Sequence, residues 1–162
     1  MRKGMDMKSL KDLLDTAIEQ EVESQKLYRQ GADMVNDKET QQFLRRLEKE
    51  EIEHEKMLFN IKETRIYDLS VSVNDEELLQ DVKTSHGSNQ LTFDKEQTIE
   101  EIFEIALKRE YMAQRRYEIA RDAVVEDELK QLFQSLADQE ANHHRDVEKQ
   151  FNIIKGDFGP EM

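Results

Sequence analysis

The chain has 162 residues, enough for one domain with a sizeable core, and 37 acidic against 24 basic residues give it a net charge of −13. That balance argues against nucleic acid or an anionic membrane as the main partner, and no run of about 18 apolar residues offers a membrane span. Cysteine is absent, which excludes disulfides, thiolate zinc sites, cysteine-bound iron–sulfur clusters and a cysteine nucleophile. The opening "MRKGMDMKSLKD" has no apolar stretch of the secretory kind, so the cytoplasm is the expected location.

Charged residues make up 38% of the chain, with one proline and five glycines, a composition of long solvent-faced helices. Apolar or small residues at helical spacing mark four of them. The first is expected over 9–35 (Leu10, Leu14, Ala17, Ser24, Tyr28, Gly31, Val35) and the second over 38–64 (Leu44, Leu47, Leu58, Ile61). Between them "NDKET" forms a turn in which Asp37 caps the second helix. Residues 65–97 break the pattern, with a short extended piece and a small helix predicted over 74–83 behind Asn74. The third helix is expected over 99–124 behind a Thr98–Glu101 capping box, and the fourth over 127–154.

A connection as long as 65–97 needs a reason inside a compact domain. A helix of 26 residues is about 39 Å long, and the connection can span that with slack. The expectation is a single all-α domain over 1–162: an antiparallel four-helix bundle whose crossover leaves helices two and three parallel. Within the crossover, "RIYDLSVSV" (65–73) alternates weakly, suiting a segment that packs along the bundle or pairs with a partner chain.

The two halves repeat. A shift of 89 residues lays "AIEQEVESQKLY" (17–28) over "ALKREYMAQRRY" (106–117) and "LEKEEIEH" (47–54) over "LADQEANH" (136–143) without a gap. Each half reads E-x3-Q-x2-Y and then E-x2-H, with the two glutamates 30 residues apart. The midpoints of these pairs, 36 and 125, fall in the two turns, so Glu21 faces Glu51 and Glu110 faces Glu140. Pairing the hairpins about a pseudo-twofold brings these four glutamates to one level with His54 and His143.

All six lie on apolar stripes, where an uncompensated charge costs several kcal/mol. Two divalent cations would balance four carboxylates, and two neutral imidazoles would complete the shells. E-x-x-H puts both side chains on one helix face, within reach of one metal. A carboxylate-rich set with one nitrogen per metal suits iron or manganese, with zinc also open. The register separates the adjacent histidines as well: His143 aligns with His54, whereas His144 aligns with Glu55 and sits on a flank.

One Glu on each of two helices and Glu-x-x-His on the other two resembles the ferritin-like di-iron carboxylate proteins. Through "LADQE..H" and a Glu seven residues before a Tyr, the chain looks most like their rubrerythrin-like branch. The resemblance implies Glu21, Glu51, His54, Glu110, Glu140 and His143 as ligands of two iron ions. It also implies Tyr28 and Tyr117 as donors to ligand carboxylates, with Gln25 and Gln114 lining the site. The activity it implies is an oxidase or peroxidase acting on peroxide or dioxygen. Iron storage or buffering with a ferroxidase site, and a metal-stabilised structural module, are the alternatives. A homodimer is expected.

Two departures bear on the activity. Full-length rubrerythrins feed electrons from a cysteine-bound iron domain; here an external donor protein would have to supply them. They also carry an extra ligand glutamate a turn away on the third helix, where this chain has Leu107 and Ala113.

Overall fold

A computed structural model describes residues 8–74 and 97–156. Four long helices account for most of them: α1 (Leu10–Met34), α2 (Lys38–Thr64), α3 (Ile99–Ala123) and α4 (Asp127–Ile154). Each boundary falls within one residue of the expected one, because each is set by local chemistry. Ser9 Oγ accepts from Asp12 N at 3.2 Å and Asp12 returns the bond to Ser9 N, closing a capping box on α1. Thr98 and Glu101 form the same box on α3, and Asp37 Oδ2 accepts from Thr40 N at 2.9 Å on α2. Arg65 takes up a left-handed conformation, φ 59°, at the C-terminal cap of α2.

The helices pair as two hairpins, α1 with α2 and α3 with α4. α1 and α3 run antiparallel. Near the end of α1, Gly31 lies so close to the start of α3 that an added Cβ would stand 3.4 Å from Ile102 Cγ2 and 3.2 Å from Leu44 Cδ1. Earlier in α1, Gln20 O accepts from Arg109 Nη2 at 2.7 Å. Helices α2 and α3 are therefore parallel, as a crossover requires. Val73 is buried in the apolar cluster of Leu10 and Val124 at one end, and Gln97 precedes α3 at the other. The small helix expected over 74–83 lies outside the described residues.

The extended piece pairs with the chain's own start. Two short strands, β1 (Lys8–Ser9) and β2 (Ser72–Val73), form an antiparallel ladder, Lys8 opposite Val73 and Ser9 opposite Ser72. Just inside α1, Leu10 N donates to Val71 O at 2.8 Å and Lys11 N to Leu69 O at 2.9 Å. Those N–H groups have no partner within the helix, so the segment satisfies them.

Two apolar clusters fill the bundle. Leu14, Leu58, Leu129 and Phe133 belong to one, and Leu27, Leu44, Phe103 and Val147 to the other. Complete burial of side chains of this size contributes about 1.5–3 kcal/mol each. Among the described residues no helix is long and apolar enough to cross a membrane. The clusters leave a polar layer between them.

Candidate metal centre

Glu21 comes from α1, Glu51 and His54 from α2, Glu110 from α3, and Glu140 and His143 from α4. None is more than 4% exposed. They divide into two overlapping groups, Glu21–Glu51–His54–Glu140 and Glu51–Glu110–Glu140–His143, each with ligand atoms within 4.8 Å of one another. Glu51 and Glu140 are common to both groups, while Glu21 with His54 and Glu110 with His143 belong to one each. The two glutamates of the E-x-x-H motifs thus sit between the two positions.

The imidazoles point their Nδ1 atoms inward. His54 Nδ1 is 3.0 Å from Glu51 Oε1 and 3.5 Å from both Glu21 Oε2 and Glu140 Oε2. His143 Nδ1 is 3.2 Å from Glu140 Oε1 and 3.6 Å from Glu51 Oε2 and Glu110 Oε1. The rings are nearly parallel, their centroids 5.7 Å apart. Each of the six residues keeps one buried polar atom without a hydrogen-bond partner: Oε1 of the four glutamates and Nδ1 of the two histidines. Converging acceptors of this kind need protons or cations between them, and the donor set fits metal ions of the oxygen- and imidazole-preferring class.

The acid–base behaviour follows from the crowding. Burial, with the charges of Glu110 and Glu21 added, pushes the Glu51 carboxyl well above the usual range. Glu140 is raised in the same way, by burial and then by Glu110 and Glu51. Burial also acts to raise Glu110, but its close contacts with His143 and Glu140 outweigh it and bring it down to about 2. Glu21 is lowered for the same reason, chiefly through His54. Burial works against charge on both imidazoles, yet contacts with Glu140, Glu21 and Glu51 raise His54, and contacts with Glu110, Glu140 and Glu51 raise His143.

The tyrosines are buried beside the carboxylates, in a crossed arrangement. Tyr28 of α1 donates its hydroxyl to Glu110 Oε2 of α3, and Tyr117 of α3 donates to Glu21 Oε2 of α1. Burial first, then the partner's charge, raises both phenols and keeps them protonated donors. The glutamine amides make no hydrogen bond to the cluster's side chains, although Gln25 Nε2 reaches the backbone carbonyl of Glu51 at 3.4 Å. Gln25 Nε2 donates to Glu55 Oε1 at 2.8 Å on the α1–α2 seam, and Gln114 Nε2 to Glu118 Oε2 at 3.1 Å along its own helix. Sequence spacing placed these residues on the inner face but not the direction of their amides. His144 is only partly buried and lies outside both groups, and the third-helix neighbours Leu107 and Ala113 pack into the apolar clusters.

Two further residues touch the histidines from outside. His54 Nε2 lies 2.7 Å from Gln139 Oε1, and His143 Nε2 lies 2.5 Å from Glu50 Oε1. Periodicity gave no hint of them because both lie off the apolar stripe. The repeat did hold the signal, since each immediately precedes an E-x-x-H glutamate and the two are one repeat apart.

Comparison with known proteins agrees with this fold. Similar in structure is a candidate ferritin-like diiron-carboxylate protein of Thermotoga maritima, with TM-score 0.72, 19% identity, and coverage of 90% of this chain and 96% of that one. A hypothetical protein of Pyrococcus furiosus is also similar, with TM-score 0.65, 21% identity and 91% of each chain covered. No curated protein matches in sequence. The rubrerythrin family model matches residues 12–151, which cover most of each of the four helices and all six clustered residues, and by that match the chain belongs to the rubrerythrin family.

Proposed function

We propose that the chain is a di-iron protein that reduces peroxide or dioxygen at the centre of its bundle. Glu21 and His54 would hold one iron and Glu110 and His143 the other, with Glu51 and Glu140 available to both. The observation that carries this reading is the sharing of two carboxylates between two equivalent groups, each with one imidazole nitrogen. When bound, two ferrous irons supply the two electrons that, with two protons, convert hydrogen peroxide to two waters.

The chain's own contribution is placement and seclusion. Tyr28 and Tyr117 fix Glu110 and Glu21 through Oε2 and leave Oε1 of each without a protein partner, where it would be available to an ion. The shared carboxylates have no protein donor on Oε1, which would leave that oxygen to the ions. The apolar clusters above and below keep bulk water out of the layer. These 162 residues hold no cysteine to bind a second iron centre, so electrons would come from a donor outside them.

Anaerobic ferrous loading should give two irons per chain, and mixing with peroxide or with dioxygen should oxidise them faster than free ferrous iron. Oxidation no faster than that of the free ion would sink the proposal. A ferroxidase and storage role is the second reading. It is favoured by the net charge of −13 and by an open depression of about 430 Å³, where Glu50, Glu53 and Asp146 outnumber the single cation Arg46 beside His143 and through which cations could approach. Storage predicts a hollow shell taking up many irons per chain; a homodimer that stops at two would eliminate it. If metal removal costs stability while the loaded protein shows no redox reaction, the structural-module reading stands instead.

A further inference from the structure

We infer that Glu50 and Gln139 make the two metal positions unequal, so that the position held by Glu110 and His143 binds the more tightly and fills first. The inference rests on the two-metal reading above and goes beyond it.

Both histidines present Nδ1 to the cluster, so the proton of each neutral ring is on Nε2, which must donate outward. The two rings find different acceptors at the same place in the repeat. His54 donates to the amide oxygen of Gln139 at 2.7 Å, and His143 to the carboxylate of Glu50 at 2.5 Å. Gln139 is fixed in that role, because its own Nε2 donates to Ser135 Oγ at 3.1 Å and its oxygen therefore faces the ring. The position corresponding to Ser135 is Arg46, which lies on the side of Glu50 and pairs with Asp146 at 3.7 Å.

A hydrogen bond to an ionised acceptor is roughly twice as strong as one to a neutral acceptor. Donation from Nε2–H to a carboxylate also makes Nδ1 more basic and a better ligand. The six clustered residues are matched pair by pair across the repeat, and so are their tyrosines. The acceptor behind the histidine is where the matching fails, a negative charge on one side and a neutral amide on the other. Glu50 is thus a positioning residue that distinguishes one ion from the other without touching either. Its side chain is 42% exposed, so it can be changed without opening the core.

The test is titration of metal-free protein with Co2+, followed by calorimetry and by the visible absorption of the bound ion. The wild type should take up two ions in two steps whose affinities differ by about tenfold or more. Glu50→Gln should draw the steps together by weakening the tighter one, and Gln139→Glu should draw them together by strengthening the weaker. The double exchange should restore two steps. In a His54→Ala background, Glu50→Gln should weaken the remaining ion, whereas in a His143→Ala background it should not. Thermal unfolding of the metal-free Glu50→Gln protein should match the wild type, which separates this role from a structural one. Two ions binding in one step, or a separation that survives Glu50→Gln, would overturn the inference and leave the two-metal reading intact. Fewer than two ions in the wild type would overturn both.

Discussion

The first hairpin and the second are built on one plan and differ at its edges. Both place a glutamate seven residues before a buried tyrosine, and an E-x-x-H pair 30 residues after that glutamate. Even the caps obey the repeat: Ser9 and Thr98 each close a capping box, and the turns 35–37 and 124–126 occupy the same place. The differences lie outside the polar layer. Among the described residues only α1 starts under a strand pair, and only α2 has a side-chain cap of the two second helices. The cluster demands matched residues because each four-residue group takes three members from one hairpin and the E-x-x-H glutamate of the other, whereas the rims answer only to local packing and solvent.

The largest expected effects come from the residues that serve both halves at once. Glu51→Gln or Glu140→Gln should reduce affinity for both ions by more than about 100-fold, because each carboxylate is shared and its loss also removes a charge. Glu21→Gln or Glu110→Gln should affect mainly one ion. Metal analysis after anaerobic loading checks this, and equal losses for all four would break the distinction between shared and unshared carboxylates. Next come the adjacent histidines. His143→Ala should lose an ion while His144→Ala keeps both, since only His143 points into the cluster. The opposite outcome would refute the repeat register as well as the assignment.

That register made much of the molecule legible in the sequence. The helix limits were readable because Asp37, Thr98 and Glu101 state their capping chemistry locally. The six clustered residues were readable because polar side chains recur, 89 apart, where apolar ones belong. What crosses from one hairpin to the other was not. The spacing of Glu21 and Tyr28 suggests neighbours on one helix, yet each pairs with the opposite hairpin, which depends on how α1 and α3 pack. The pairing of Ser72–Val73 with Lys8–Ser9 was hidden for a similar reason: two-residue strands have no periodicity to detect. Gln25 and Gln114 share the inner face by position, but a flexible amide goes to whichever acceptor is nearest.

The crossed tyrosines should show an intermediate effect and test the pseudo-twofold directly. Tyr28→Phe and Tyr117→Phe keep the ring and remove one donor to a buried carboxylate, at a cost of about 1–3 kcal/mol each. Urea unfolding of the metal-free proteins measures it. Equal losses would support the matching of the halves, and a loss in only one would show that the symmetry ends inside the polar layer.

The smallest effect concerns the one cap that the repeat left incomplete. Asp37 and Glu126 hold corresponding positions with nearly the same backbone, φ −71° and ψ 120° against φ −71° and ψ 123°. Asp37 accepts from Thr40 N, whereas Glu126 makes no side-chain cap bond to α4. The extra methylene of glutamate carries its carboxylate past the N–H that aspartate reaches. Glu126→Asp should therefore supply the missing bond to Leu129 N, the counterpart of Thr40. The gain should be about 0.5–1 kcal/mol, within the ordinary range for an N-cap. It should fall short of the Asp37 cap, because Leu129 lacks the hydroxyl through which Thr40 binds Asp37 a second time at 2.6 Å. Thermal unfolding should show the rise with metal content unchanged, since the substitution lies in a turn at the bundle's end. No gain would mean that matched backbone angles are insufficient, and that the N–H of Leu129 already has a solvent partner as good as the one on offer.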